Sequence, residues 1–224
     1  FPPATREAWL KLVEGVLKGA DFEKKLVSRT YDGLRIEPLY PKAEPAPQPR
    51  RAGHGPWRVA QRVDHPDPAL ANDLALADLE LGDGALTLVF AGAPAARGFG
   101  LAVDALDDLD RALRGVMLDL VHLRLDAGGA GRQAAALLVA LAERRGHRLG
   151  GLALDLGLDP LGAAAASGRL SASWDVVAAR CAETWGALEA RGFAGKGFLA
   201  DGRPYHEAGA SEAQELAAVL ATGV

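Results

Sequence analysis

His206 stands in the run Pro204-Tyr205-His206-Glu207-Ala208-Gly209, after a strand-like segment and before a helical one. An imidazole so placed could donate a proton or polarise a carbonyl; the alternative is a His and Glu pair that caps a helix. Arg97, in Pro94-Ala95-Ala96-Arg97-Gly98-Phe99, could hold a carboxylate or phosphate through its planar fork, or stand as a solvated loop charge. The other histidines, His54, His65, His122 and His147, show no H-x-x-x-H or H-x-x-E spacing, so a zinc site has no support and no metal is expected. Cys181 lies at helical spacing between Val177 and Trp185, the pattern of a packed core residue rather than a nucleophile. No G-x-S-x-G elbow, dinucleotide fingerprint or P-loop spacing is present.

Composition narrows the classes further. With 25 Lys+Arg against 29 Asp+Glu and a net charge of −4, the chain has no domain-wide positive field, and nucleic acid is not an expected partner. Hydrophobic residues make up 49% and aromatics only 6%, so the core must be aliphatic, which suits helices packed on a sheet. A single cysteine precludes an intramolecular disulfide and favours a cytoplasmic setting. No run reaches the ~18 apolar residues of a membrane span, and no signal peptide is expected. The chain opens at Phe1 without Met, which suggests that preceding residues have been trimmed, by processing or by choice of the segment.

The elements that must position these residues follow from periodicity. Apolar residues from Trp9 to Leu17 predict a helix over 6–18, N-capped by Thr5; two short extended pieces follow around Asp32-Gly33. Pro41 to Arg51, with Pro at 41, 45, 47 and 49, reads as an extended linker. Beyond it, strand-like runs at 57–63, 85–90, 121–125, 152–156 and 195–200 alternate with helical patterns at 68–79, 106–114, 131–145, 174–190 and 212–220. Such alternation predicts an α/β fold, a parallel βα repeat whose polar or glycine-rich turns after each strand are where a ligand would sit. About five βα units fall short of the eight of a closed barrel. The expected architecture is therefore a partial (β/α)8 TIM barrel over 52–224 preceded by an extended and helical N-terminal arm and linker over 1–51, with later strands missing; the alternative is a complete open sheet of five strands.

Three segments resemble the methylmalonyl-CoA mutase family in order and spacing: Thr30-Tyr31-Asp32-Gly33-Leu34-Arg35-Ile36-Glu37-Pro38-Leu39-Tyr40, Pro56-Trp57-Arg58-Val59-Ala60-Gln61-Arg62-Val63, and Glu207-Ala208-Gly209-Ala210-Ser211-Glu212-Ala213-Gln214-Glu215-Leu216. The resemblance extends over essentially the whole chain and is nearest to the small subunit of heterodimeric bacterial forms. It implies an arm that wraps a large partner subunit, and a barrel threaded by acyl-CoA. It also implies an adenosylcobalamin, held by a separate carboxy-terminal domain, whose radical chemistry interconverts methylmalonyl-CoA and succinyl-CoA.

The contact positions depart from the catalytic pattern. Against a large-subunit motif that looks like R-P-W-T-I-R-Q-Y-A-G-F, the run from Gly55 to His65 keeps Pro56, Trp57 and Gln61. It places Gly55, Arg58, Ala60 and Arg62 where the family has its Arg, Thr, Arg and Tyr. Arg62 is a long cation, costly to desolvate where radicals must be shielded. Near Y-H-M-Q-E-A-G, the run Pro204 to Gly209 is two residues shorter between His and Glu, so either a gap keeps His206 over the substrate or Pro204 takes its place. P-T-H-R-G-Y is thinned to the run around Arg97. The bulky Leu86, Leu88, Leu123, Leu125, Leu152, Leu154 and Leu156 suggest a barrel filled with aliphatic side chains rather than a tunnel. The expectation is a structural small subunit of a cobalamin-dependent mutase, supporting the catalytic large subunit and itself without catalytic residues or bound cobalamin. The rival is a competent mutase for a different acyl-CoA, with Arg62, Arg97 and His206 as a re-tuned site and Gln61 as a further CoA contact.

Overall fold

The computed structural model describes residues 4–42 and 57–224. The chain divides into two units, 1–55 and 56–224. The expected boundary after Arg51, and all of the Pro-rich run except Pro41 and Lys42, lie outside the described residues, as does His54.

In the first unit, α1 (Arg6–Leu17) starts where Thr5 Oγ1 accepts the Ala8 N–H at 3.2 Å and ends at Lys18 in a left-handed conformation. A short α2 (Phe22–Leu26), absent from the sequence reading, is capped by Asp21. Its Phe22 ring meets Trp9 edge-on at 6.3 Å. The two extended pieces are β1 (Ser28–Arg29) and β2 (Arg35–Ile36), an antiparallel pair closed by the Asp32-Gly33 turn. None of the described residues of this unit is buried, and Leu12, Val16, Tyr31, Leu34 and Tyr40 are exposed. Its polar ties, such as Arg35 with Glu23, are surface ion pairs of small worth.

The second unit is a five-stranded parallel sheet in the order β3 (Ala60–Val63), β4 (Ala85–Val89), β5 (His122–Asp126), β6 (Leu154–Leu158), β7 (Lys196–Phe198). Helices α3 (Pro68–Glu80), α4 (Leu106–Ala112), α5 (Gly131–Arg144) and the pair α6 (Pro160–Ser167) and α7 (Trp174–Glu189) form the crossovers. They are followed by α8 (Arg203–Glu207) and α9 (Glu212–Thr222). Spatial order equals chain order, without the reversal that marks a doubly wound sheet. This is the α/β, partial barrel-like arrangement expected.

Local chemistry accounts for the helix starts. Asp67 accepts the N–H groups of Ala69 and Leu70 with Pro68 in the first helical position of α3. In α9, Ser211 and Gln214 cap one another reciprocally. The same Asp-Pro signature at Asp159-Pro160 opens α6, which the sequence reading treated as a turn, while Gly157 and Leu158 extend β6. The strand predicted from 152 begins at Leu154 because Leu149–Gly151 form a 3₁₀ turn.

The register decides which side chains go where. Gln61, Leu86, Leu123 and Leu154 form one row, and Val63, Leu88 and Leu125 the next, on a single face. Those valine and leucine side chains, with Leu156, are buried in one core with Ala71 and Ala75 of α3, Leu109 of α4 and Leu138, Leu141 and Ala142 of α5. The leucines therefore pack against helices. The expectation that they fill the interior of the barrel is corrected: the period of two was right, but which set met the helices was a tertiary matter. Leu152 joins the same core from outside the strand.

Candidate functional site at the carboxyl ends of the strands

The opposite face of the sheet is polar. A continuous row of registered residues, Arg62, Thr87, Arg124, Asp155 and Lys196, crosses all five strands. Asp155 Oδ2 is its hub: His122 Nε2 lies at 3.2 Å, Lys196 Nζ at 3.6 Å and Arg124 Nε at 3.7 Å. Three cationic or potentially cationic side chains thus share one carboxylate, which itself is mostly shielded. Val89, on this same face, packs in a small separate cluster with Ala93 and Ala96.

Above the row, at the carboxyl ends of the strands, a cavity of about 910 Å³ is lined by Arg62, Asp64, Arg97, Phe99, Arg203 and Glu207, together with Pro204. Its cations are all engaged. Arg62 Nε meets Asp64 Oδ2 at 2.6 Å and its Nη2 donates to the Ala95 carbonyl at 2.6 Å. Arg97, held in a left-handed conformation after the 3₁₀ turn Pro94–Ala96, pairs with Glu207 at 3.2 Å. Arg203, the first residue of α8, bridges Asp126 and Asp201, each at 2.6 Å. Hydrogen bonds to Asp201 and then Asp126 raise the Arg203 guanidinium further above its already high value. Burial acts to raise the Asp201 carboxyl, but the side-chain and backbone hydrogen bonds of Arg203 outweigh it and hold the carboxyl below its usual value.

Asp159 underpins this mouth. Its carboxylate, 9% exposed, accepts the Gly162 N–H at 2.7 Å on Oδ1 and the Asp201 N–H at 3.0 Å on Oδ2. It therefore caps α6 and fixes the loop that carries Arg203.

The structure brings Arg62 and Arg97 to the same cavity and leaves the other two candidates outside it. His206 lies in α8, exposed, with Nδ1 2.8 Å from Glu215 Oε2 of α9. Pro204, its alternative in the ungapped reading, lines the cavity. Gln61 shares the register row of Leu86 and so belongs to the opposite face from Arg62. Cys181 is partly buried on α7, away from this mouth.

Sequence reading missed Asp126, Asp155, Lys196 and Arg203. A signal existed in β5, where His122, Arg124 and Asp126 alternate with Leu123 and Leu125. Their partners lie far off in sequence, as Arg203 and Asp126 do, 77 residues apart. Among the described residues no group of three His, Cys, Asp or Glu side chains is placed to hold a metal ion, and no helix is long and apolar enough to cross a membrane. The arrangement offers charge paired with charge, not an activated nucleophile.

Comparison with known proteins bears on the same residues. The chain is similar to the methylmalonyl-CoA mutase small subunit of Streptomyces virginiae, with 40% identity across the whole chain and 38% of that relative's length. It is similar to the subunit of the same name from Propionibacterium freudenreichii subsp. shermanii, at 29% identity across the whole chain and 36% of the relative. Over 40 residues it is 52% identical to the one from Porphyromonas gingivalis. The chain thus spans under two-fifths of the length of the first two relatives. The family model described as methylmalonyl-CoA mutase matches residues 46–224, which takes in all of the second unit with its charged row, its mouth and its unreversed strand order. The chain belongs to the methylmalonyl-CoA mutase family.

Proposed function

We propose that this chain is part of the small subunit of a cobalamin-dependent methylmalonyl-CoA mutase, working in the cytoplasm as a structural support for the catalytic large subunit. The observation that carries the reading is the row Arg62, Thr87, Arg124, Asp155 and Lys196. An acyl-CoA threaded through a barrel needs small side chains on this face; here it carries long cations gathered on one carboxylate. Moving CoA into that space would separate the ions or bury them unpaired, which is costly. At the mouth, Arg62, Arg97 and Arg203 are likewise committed to Asp64, Glu207, Asp126 and Asp201.

The adenosylcobalamin of such a complex would supply radical chemistry when bound. Among the described residues the mouth does not fit it, being a set of ion pairs, and His206 and His122 face Glu215 and Asp155. This supports a reading in which the cofactor is held elsewhere in the complex. The first unit supports a partner role of a second kind. A segment with none of its described residues buried and with Leu12, Val16, Leu34 and Tyr40 exposed has little to hold it in shape until it lies on another surface, in keeping with an arm that wraps the large subunit.

The test is turnover with and without the partner. The full-length small subunit, given adenosylcobalamin and methylmalonyl-CoA, should form no succinyl-CoA alone, and should do so once the large subunit is added. In that complex Arg62→Ala should leave kcat and KM unchanged. Turnover by the isolated small subunit, or a fall in kcat on replacing Arg62, would establish the rival in which Arg62 and Arg97 serve a re-tuned site.

A further inference from the structure

A second cavity, of about 900 Å³, lies beside the mouth and is built differently. Its wall comes from the turns after β4, β5 and β6 and from α5, α6 and α7. Three guanidinium groups line it: Arg132 from the first turn of α5, Arg169 just beyond the end of α6, and Arg180 from α7. Among the described residues none of the three side chains makes an ion pair or a hydrogen bond, whereas Arg62, Arg97, Arg124, Arg144, Arg145 and Arg203 all do. The one carboxylate in the lining is Asp159, and both its oxygens are taken by the N–H groups of Gly162 and Asp201. In a chain with more acidic than basic residues, a concave surface with three unneutralised arginines and no free acid is a local exception.

We infer that this cavity binds the phosphate groups of a small phosphorylated metabolite. The arginine trio carries the inference. Guanidinium groups recognise phosphate by paired, charge-assisted hydrogen bonds, and converging cations in a cleft raise the local concentration of anions. The floor helps without carrying it. Gly128 has φ +50°, and a Cβ there would press on Pro94, so the backbone of the Gly128-Gly129 turn comes to the cavity bare of side chains. Leu158, Leu170 and Val177 give the same cavity apolar wall for the organic part of such a ligand. Its volume is that of a site for a whole small molecule, usually about 300–1,000 Å³, rather than for one phosphate ion. The inference rests on none of the arginines of the mouth and stands apart from the proposed mutase role.

The test is calorimetric titration of the full-length protein with inorganic phosphate, inorganic pyrophosphate and adenosine diphosphate. Arg132→Ala and Arg180→Ala are the working variants, and Arg148→Ala, an exposed arginine outside the cavity, is the charge control. Saturable binding is expected, weakened about ten- to hundredfold by either working variant, retained in part by Arg180→Lys, and unchanged by Arg148→Ala. Adenosine diphosphate binding more tightly than pyrophosphate assigns a phosphorylated organic molecule, and equal binding assigns the free anion; both uphold the site. Absence of saturable heat in the unsubstituted protein with all three probes overturns it, whatever the variants do. So does equal loss in Arg148→Ala, which would mark general charge attraction. Because the readout is binding at Arg132 and Arg180 and not turnover, its failure is distinct from failure of the mutase reading.

Discussion

Replacing Gly162 by Ala tests the account of Asp159 through a sign that runs against helix propensity. Gly162 occupies the third position of α6, where Ala is ordinarily favoured over Gly by about 1 kcal/mol. Here a Cβ would run into the carboxyl group of Asp159, whose Oδ1 already accepts the Gly162 N–H. The carboxylate cannot swing aside freely, because Oδ2 is held by the Asp201 N–H on a separate loop. Displacing it loses a cap worth about 1 kcal/mol and adds overpacking strain of about 1–3 kcal/mol. After the propensity gain is subtracted, the net cost is about 2 kcal/mol. For a chain of this size each kcal/mol moves Tm by about 2–4 °C, so thermal unfolding followed by circular dichroism should show a fall of about 4–8 °C. Asp159→Ala alone removes both hydrogen bonds and should cost about 3 kcal/mol. In that background the obstruction is gone, and adding Gly162→Ala should be neutral or raise Tm, a coupling visible in the double-mutant cycle. A rise in Tm on Gly162→Ala in the otherwise unchanged protein, or the same loss in both backgrounds, would refute the geometry on which the mouth is argued to rest.

Two further outcomes follow from other buried or paired groups. Asn72, 7% exposed on α3, donates from Nδ2 to the carbonyls of Ala112 and Arg114 at 3.1 and 2.7 Å, tying α3 to the end of α4. Asn72→Ala should cost about 2 kcal/mol in urea unfolding, and Asn72→Asp more, because it sets an anion against two carbonyl oxygens; an Asp variant as stable as the Ala one would contradict this. Hydrogen bonding to Arg145 holds the Asp110 carboxyl below its ordinary value of 3.8, so the pair stabilises the fold above that pH and loses its contribution as pH falls through the lower folded value. Asp110→Asn should thus lower stability at pH 7, with the difference from the unsubstituted protein shrinking on acidification below pH 3.8; a difference that stays constant from pH 7 to 2.5 would count against the pairing.

Element type and order were legible in the residues because they rest on local periodicity and punctuation. Leu123 and Leu125 alternating with His122, Arg124 and Asp126 mark a strand wherever the chain folds, and buried positions 134, 135, 138, 139, 141 and 142 mark one face of a helix. Family membership was legible too, since the motif from Pro56 to Val63 is contiguous. The α6 start was present in Asp159-Pro160 but was read as a turn, for the two signals share the same dipeptide. What the sequence could not decide was facing and partnership. Alternation says that leucines and charges lie on opposite faces of the sheet, but only packing of α3, α4 and α5 determined that the leucines met the helices and the charges were left to the other side. The same holds for the candidate site. Arg62 and Arg97 were visible as cations, yet whether they were free to hold a ligand depended on Asp64 nearby and on Glu207, 110 residues from Arg97. Arg132, Arg169 and Arg180 drew no notice in the sequence, and tertiary structure alone sets them around one cavity whose one carboxylate, Asp159, is taken up by backbone N–H groups rather than by an arginine. Coulomb energy depends on distance through space, which local sequence pattern does not encode.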